Sequence, residues 1–166
     1  MTGLDINTDK ILEIALVVTD EDLNVLSKTD SFYLNHPEAI YENIKEPVFS
    51  MHSPELLDLC RKSKLTEADV DLVLSQFLIT WTPRLKCPLA GNSPSLDRQF
   101  IAKYLPLTYG HIHHQSIDVS TLSQLAKRWY PGVEKDRPKK KLLHRSLNDI
   151  EESIDQLKHY RIFMLK

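Results

Sequence analysis

The run ILEIALVVTD, residues 11–20, sets the fold class of the chain. Its β-branched side chains, Ile11, Ile14, Val17 and Val18, favour an extended chain, and 11–18 is too short for an average helix. A polar turn at 20–24 follows, and 25–34 alternates well enough to form a second strand, so the two predict a hairpin at one side of a sheet. One feature is awkward. An apolar strand of this kind normally lies inside a sheet, and residues 1–10, MTGLDINTDK, are turn-like and offer it no second partner.

Downstream of the hairpin the signals become helical. Ser53-Pro54-Glu55 predicts a helix start with proline near its first position, running through Cys60. Thr66 and Asp69 have capping-box spacing; Val70, Leu74, Phe77 and Trp81 then recur at helical intervals, and Pro83 fits the end. Residues 85–90 form a brief apolar run broken by Pro88, readable as an edge or loop-proximal strand that Gly91 ends. Ser93-Pro94 opens a helix carrying Asp97, Phe100, Ile101 and Tyr104, and 117–119 reads as a short strand feeding a helix over 121–129. The segment 130–141, with two prolines, a glycine and five basic residues, is expected to be a mobile connection. The last helix is expected from about Leu143 towards Leu165, burying Leu147, Ile150, Ile154, Leu157 and Phe163 or Met164. This order predicts a single α/β domain over 1–166, three layers deep, with a mixed central sheet.

Composition narrows the function. The 166 residues suit one domain, and 21 Lys and Arg against 23 Asp and Glu give a net charge of -2. That balance argues against bulk electrostatic capture of long duplex DNA, and leaves room for a short anionic ligand held by a local basic rim and metal ions. The apolar runs are too short to cross a bilayer, and no basic-then-apolar leader supports secretion. Cys60 and Cys87 lack metal-type spacing and are expected as buried thiols in a reducing compartment. Trp81 and Trp129, at helical positions among apolar residues, are expected in the core.

Three clusters could carry chemistry: Asn92-Ser93 with Asp97, Ile117 through Thr121, and His144 through Asp149. A helix start beside Ser93 favours anions, although Asn92 and Ser93 would serve equally as plain caps with Asp97 solvated. His144 and Asp149 lie about 140° apart on an ideal helix, so they form no direct helical pair. With His144 in the approach to the helix, a carboxylate could hold a metal while the imidazole faces a water beside it. The plainer reading makes His144 a partly exposed histidine and Asp149 a carboxylate stabilising the helix start. His111, His113 and His114 lack a matching cysteine pair, so loop or interface packing is preferred to zinc. The basic run 135–141 reads equally as a phosphate contact or a solvated turn.

Taken together, MTGLD (1–5), ILEIALVVTD (11–20), PLAGNS (88–93) with DRQF (97–100), DVSTL (118–122), KRWYP (127–131) and HRSLNDI (144–150) resemble the oligoribonuclease family. These are DEDD nucleases of the histidine-containing type, and the motifs stand in family order over essentially the whole chain. The resemblance implies a ribonuclease H-like exonuclease fold and a dimeric 3'-to-5' exoribonuclease that degrades short single-stranded RNA to 5'-mononucleotides. It implies two Mg2+ or Mn2+ ions, no membrane, and the cytoplasm or the mitochondrion as the working compartment. Asp97 and Asp149 match metal-binding acids, and His144 matches the general base. Ser93 and Ser120 match groups near the far phosphate, with Asn92 in the same loop; His52 falls at a substrate contact and Leu4 at the wedge against a terminal base. Hard divalent ions need oxygen ligands, and in the family mechanism one ion activates water while the other stabilises the departing oxygen.

The chain also departs from the pattern. The family's Asp-x-Glu stands immediately before MTGLD, and neither Asp5 nor Asp9 takes its place; Asp5 already matches another family position. Two carboxylates cannot fix two divalent ions as four do. The same segment forms a central strand, which accounts for the partnerless strand at 11–18. Pro47 replaces a stacking Trp, His114 the Tyr contributed across the dimer, Gln115 a phosphate-binding Arg, and Ser146 an Ala. Two accounts fit: a nuclease whose first strand is missing from this chain, or a catalytically degenerate relative serving as an RNA-binding or protein-interaction module.

Overall fold

The computed structural model describes residues 1–139 and 144–165. Lys140, Lys141 and the expected helix start at Leu143 lie outside them. The hairpin is present, but each of its strands is broken. β1 (Glu13–Ile14) pairs antiparallel with β4 (Phe32–Tyr33), and β2 (Val17–Thr19) with β3 (Val25–Lys28). The break has a local cause. Leu16 donates its N–H to Thr29 Oγ1 at 3.0 Å and accepts from the Thr29 N–H at 2.9 Å, so a side chain replaces one rung of the ladder. Asp20 closes the turn by accepting from the N–H groups of Asp22 and Asn24.

Two short helices, α1 (Glu38–Glu42) and α2 (Val48–Met51), lead to α3 (Pro54–Lys62), which Ser53 caps by accepting from the Leu56 N–H. In α4 (Glu67–Trp81) both halves of the Thr66/Asp69 capping box form. Val70 and Leu74 are buried as expected, but Leu78 continues the stripe and Trp81 is 45% exposed. Asp71 is buried as well, and it accepts from the N–H groups of Leu107 and Thr108 at 2.9 and 2.8 Å. β5 (Pro88–Gly91) precedes α5 (Pro94–Tyr104); α6 (Pro106–Tyr109) is thus pinned by Asp71. β6 (His113–Asp118) pairs parallel with β5.

α7 (Val119–Trp129) starts earlier than 121 because Asp118 caps it. The segment expected to be mobile instead contains α8 (Pro131–Lys135). Glu134 anchors it, accepting from Ser123 Oγ at 3.0 Å and Tyr160 OH at 2.6 Å. α9 (Ser146–Phe163) buries Gln156 and Tyr160 most deeply, while Leu147, Ile150, Ile154 and Leu157 are only partly buried and Phe163 is exposed. Trp129 is exposed too, so neither tryptophan joins the core.

Ile11 and Leu12, in the segment leading into β1, enter different clusters, and the core is built on that alternation. Ile11 packs with Leu34, Val70, Leu74, Phe100, Ile101 and Leu105, whereas Leu12 packs with Tyr41, Ile44, Leu56, Leu57 and Cys60. A third cluster joins Val119, Ala126 and Tyr160. The α/β class and the mixture of parallel and antiparallel pairs agree with expectation. Among the described residues, however, the strands form three separate two-stranded sheets and not one.

The two thiols differ. Cys60 is fully buried and burial pushes its pKa to about 11, while Cys87 is exposed, contrary to expectation. Iodoacetamide at pH near 8 should therefore modify Cys87 alone in the folded chain and both thiols after denaturation; peptide mass mapping checks this.

Candidate active site

The parallel strands β5 and β6 end at Gly91 and Asp118, next to the heads of α5 and α7. In open α/β sheets this carboxyl end is where ligands bind. Asp118 organises it. One oxygen, Oδ1, accepts from Ser93 N at 3.0 Å and from Ser120 N at 2.9 Å, so a single carboxylate ties the two helix heads together. Ser93 stands in the left-handed region, at φ 56° and ψ 48°, an uncommon conformation for a residue with a Cβ. Its side chain makes no cap bond, contrary to the plain cap reading; instead Ser93 Oγ donates to Ser120 Oγ at 3.1 Å.

The network continues into α9. Ser120 Oγ donates to Asn92 Oδ1 at 3.3 Å, Asn92 Nδ2 to Ser153 Oγ at 2.7 Å, and Ser153 Oγ to the Asp149 carbonyl at 2.7 Å. Asn92, Ser93 and Ser120 are therefore brought together, and the turn bearing Asp149 is fastened to them. Both α5 and α9 pack on β5. Asp97 and Asp149 lie in the first turns of those two helices, both exposed. Crowding by protein raises the Asp97 pKa above the ordinary carboxylate value, against its own backbone N–H and the Met1 ammonium, which lower it.

His144 lies just before α9 with φ 49°. His52 Nε2 is 2.8 Å from the Met1 carbonyl, and burial lowers its pKa below the usual imidazole value; the Met1 ammonium and His144 push the same way. Nδ1 of His52 is buried and has no hydrogen-bond partner among the described residues. Leu4 is 70% exposed on a turn built around Asp9, whose carboxylate accepts from Thr2 Oγ1 at 2.9 Å and Asp5 N at 2.8 Å. A Cβ on Gly3 would run into that carboxylate and push it off these partners.

Several organising residues escape a reading of the sequence. Asp118 and Ser120 have the spacing of a cap, which was a usable signal. Glu13 is a lone carboxylate in an apolar strand, and its side chain is only 5% exposed. Arg98 donates to the carbonyls of His113 and Gln115, both at 2.8 Å, and to Ser116 Oγ at 3.1 Å. It thereby holds the irregular pairing between Pro88 and Leu89 that leaves His114 and Gln115 exposed. Pro47 is exposed at the head of α2. As metal donors, Asp97 and Asp149 fit a hard divalent ion in type but not in number. Among the described residues no group of three or more His, Cys, Asp or Glu could hold an ion.

The exonuclease family model, of the RNase T type, matches residues 1–157, and the chain belongs to that family. The mixed α/β structure with its small sheets fits the ribonuclease H-like fold, and divalent metals are general in the family. The chain is 42% identical over 167 residues to the "Probable oligoribonuclease" of Drosophila melanogaster, covering 100% of this chain and 79% of that protein. It is 41% identical over 162 residues to the "Oligoribonuclease" of Neisseria meningitidis serogroup A, covering 97% and 86%. To the "Oligoribonuclease, mitochondrial" of Bos taurus it is 38% identical over 162 residues, covering 97% and 68%. Within the exonucleases the chain thus belongs to the oligoribonucleases, and 3'-to-5' exoribonuclease function follows from that membership. Kinship over the whole chain does not favour the degenerate-module reading. Among the described residues no helix is long and apolar enough to cross a membrane.

Since Asp118 satisfies one N–H on each helix head, Asp118→Ala should lower stability by about 1–2 kcal/mol. Asp118→Asn, which keeps an acceptor oxygen, should lose less. Urea unfolding curves at constant m-value measure both.

Proposed function

We propose that the chain removes 5'-mononucleotides one at a time from the 3' end of short single-stranded RNA, with Asp97 and Asp149 as two of the carboxylates that would hold Mg2+ or Mn2+. Identity near 40% to oligoribonucleases over nearly the full chain carries this reading. A divalent ion held there would supply positive charge at the scissile phosphate and would acidify a bound water. His144 accepts the proton of the attacking water, and its position just before the Asp149 helix supports that role. Ser93 and Ser120 offer hydroxyls to the far phosphate, with Asn92 setting their orientation through Ser120. Leu4, exposed on its Asp9-braced turn, lies against the terminal base, and His52 makes a further substrate contact.

The remaining family carboxylates, an Asp-x-Glu pair, belong in our reading to a central strand. The three separate two-stranded sheets support this, because each leaves strand edges that a further strand could pair with. We further place the active form as a single-domain homodimer in the cytoplasm, with the mitochondrion as the other candidate compartment. Gln115 and His114 supply weaker phosphate and base contacts than the Arg and Tyr of the family, and Pro47 offers no stacking face. These changes should raise KM more than they lower kcat.

The test is release of mononucleotides from a labelled RNA of two to five residues with Mg2+ or Mn2+. Asp149→Asn should abolish release, and His144→Ala should slow it by about 100- to 10,000-fold, the usual worth of a positioned general base. If a form that also carries the Asp-x-Glu strand releases nothing with either ion, the proposal is wrong.

A further inference from the structure

Glu13 has no part in the chemistry above, yet it is tied to the helix that bears it. β1 and β4 pair Glu13 opposite Tyr33, which puts both side chains on one face of the hairpin. Arg145, 132 residues away in sequence, reaches into that pair. Its Nε lies 3.3 Å from each Glu13 oxygen, and its Nη2 donates to Tyr33 OH at 2.6 Å. Glu13 Oε2 also accepts from the N–H of Ser146, the first residue of α9, at 3.2 Å. Arg145 itself provides no side-chain cap. The cap of α9 therefore comes from another element, and a carboxylate there satisfies both a free N–H and the positive end of the helix.

The residues on either side of this contact are the proposed base and ligand. The Arg145 carbonyl accepts from Asp149 N–H at 2.9 Å, one turn into α9. His144, directly before Arg145, has φ 49°, a backbone state that a side-chain-bearing residue keeps only where its neighbours hold it. We infer that Glu13 is a positioning residue: with Arg145 and Tyr33 it fixes the entry to α9 and so sets where His144 and Asp149 stand during hydrolysis. The inference rests on the exonuclease reading. The Glu13 side chain is nearly buried while that of Arg145 is a quarter exposed, so removing the carboxylate leaves a partly solvated guanidinium and an uncapped helix start.

The experiment uses the whole chain and Glu13→Ala, Glu13→Gln and Tyr33→Phe. For each, kcat and KM are measured on a labelled RNA trinucleotide at saturating Mn2+, and amide hydrogen exchange is followed over 146–149. Glu13→Ala should lower kcat by about 10- to 100-fold, the scale of a small misplacement of reacting groups, with KM changed less than about threefold. Exchange should accelerate over 146–149 and not in α4. Glu13→Gln, whose amide oxygen still accepts from Ser146, should recover part of kcat, and Tyr33→Phe should lose a few-fold. A pair with a merely structural role would lower the melting temperature and leave kcat of the folded variants within about twofold of the unaltered chain; that result overturns the inference. Should Glu13→Ala not fold, Glu13→Gln and Tyr33→Phe decide it by the same criterion. If the form that also carries the Asp-x-Glu strand turns over no RNA, the exonuclease reading fails; unchanged exchange over 146–149 in folded Glu13→Ala would overturn the positioning role independently.

Discussion

One carboxylate oxygen of Asp118, shared by the N–H groups of Ser93 and Ser120, is the contact on which the site is assembled. Each of those N–H groups belongs to the head of a helix, where the backbone has no partner of its own. Sharing one acceptor brings the heads of α5 and α7 together and holds Ser93 in its left-handed state. That state carries the Ser93 hydroxyl away from capping and towards Ser120. Asn92 and Ser153 then extend the same hydrogen-bonded chain to the Asp149 carbonyl. Three segments far apart in sequence are thus positioned by polar contacts, with apolar packing behind them.

How much of this could be read from the sequence depended on the range of the interaction concerned. The Thr66/Asp69 capping box and the Ser53-Pro54 start formed as expected because each is satisfied within its own helix turn. The break at Ala15 and Leu16 was not legible, since it arises from Thr29, a residue on the facing strand. Prolines, a glycine and basic residues suggested mobility over 130–141, yet Glu134 finds buried partners in Ser123 and Tyr160 and fixes α8. In α9, periodicity pointed to the leucines and isoleucines. The helix instead turns Gln156 and Tyr160 inward, because Tyr160 hydroxyl reaches that same carboxylate. For the site, the candidate residues lay in recognisable motifs, while Glu13 and Arg98 act only through partners brought near by the fold.

The exposed tryptophans follow the same logic. Trp81 and Trp129 are the last residues of α4 and α7, where the helix has already left the layer it packs on. A helical stripe read from sequence has no means of knowing where that layer stops. Leu78 and Ala126, one turn or less earlier, are the residues that end the buried stripes.

The charges around the site explain how a chain of net charge -2 can engage an anion at all. Arg98 and Arg145 are consumed internally, one by backbone carbonyls and the other by Glu13 and Tyr33. With Gln115 in place of an arginine, the groups proposed to face the far phosphate are the neutral hydroxyls of Ser93 and Ser120. Such donors position a phosphate through geometry and release few counterions, so on the proposed function recognition is local and depends weakly on salt. A surface of that kind suits a ligand of a few nucleotides, whose ends can be met individually, and gives no advantage to a long polyanion.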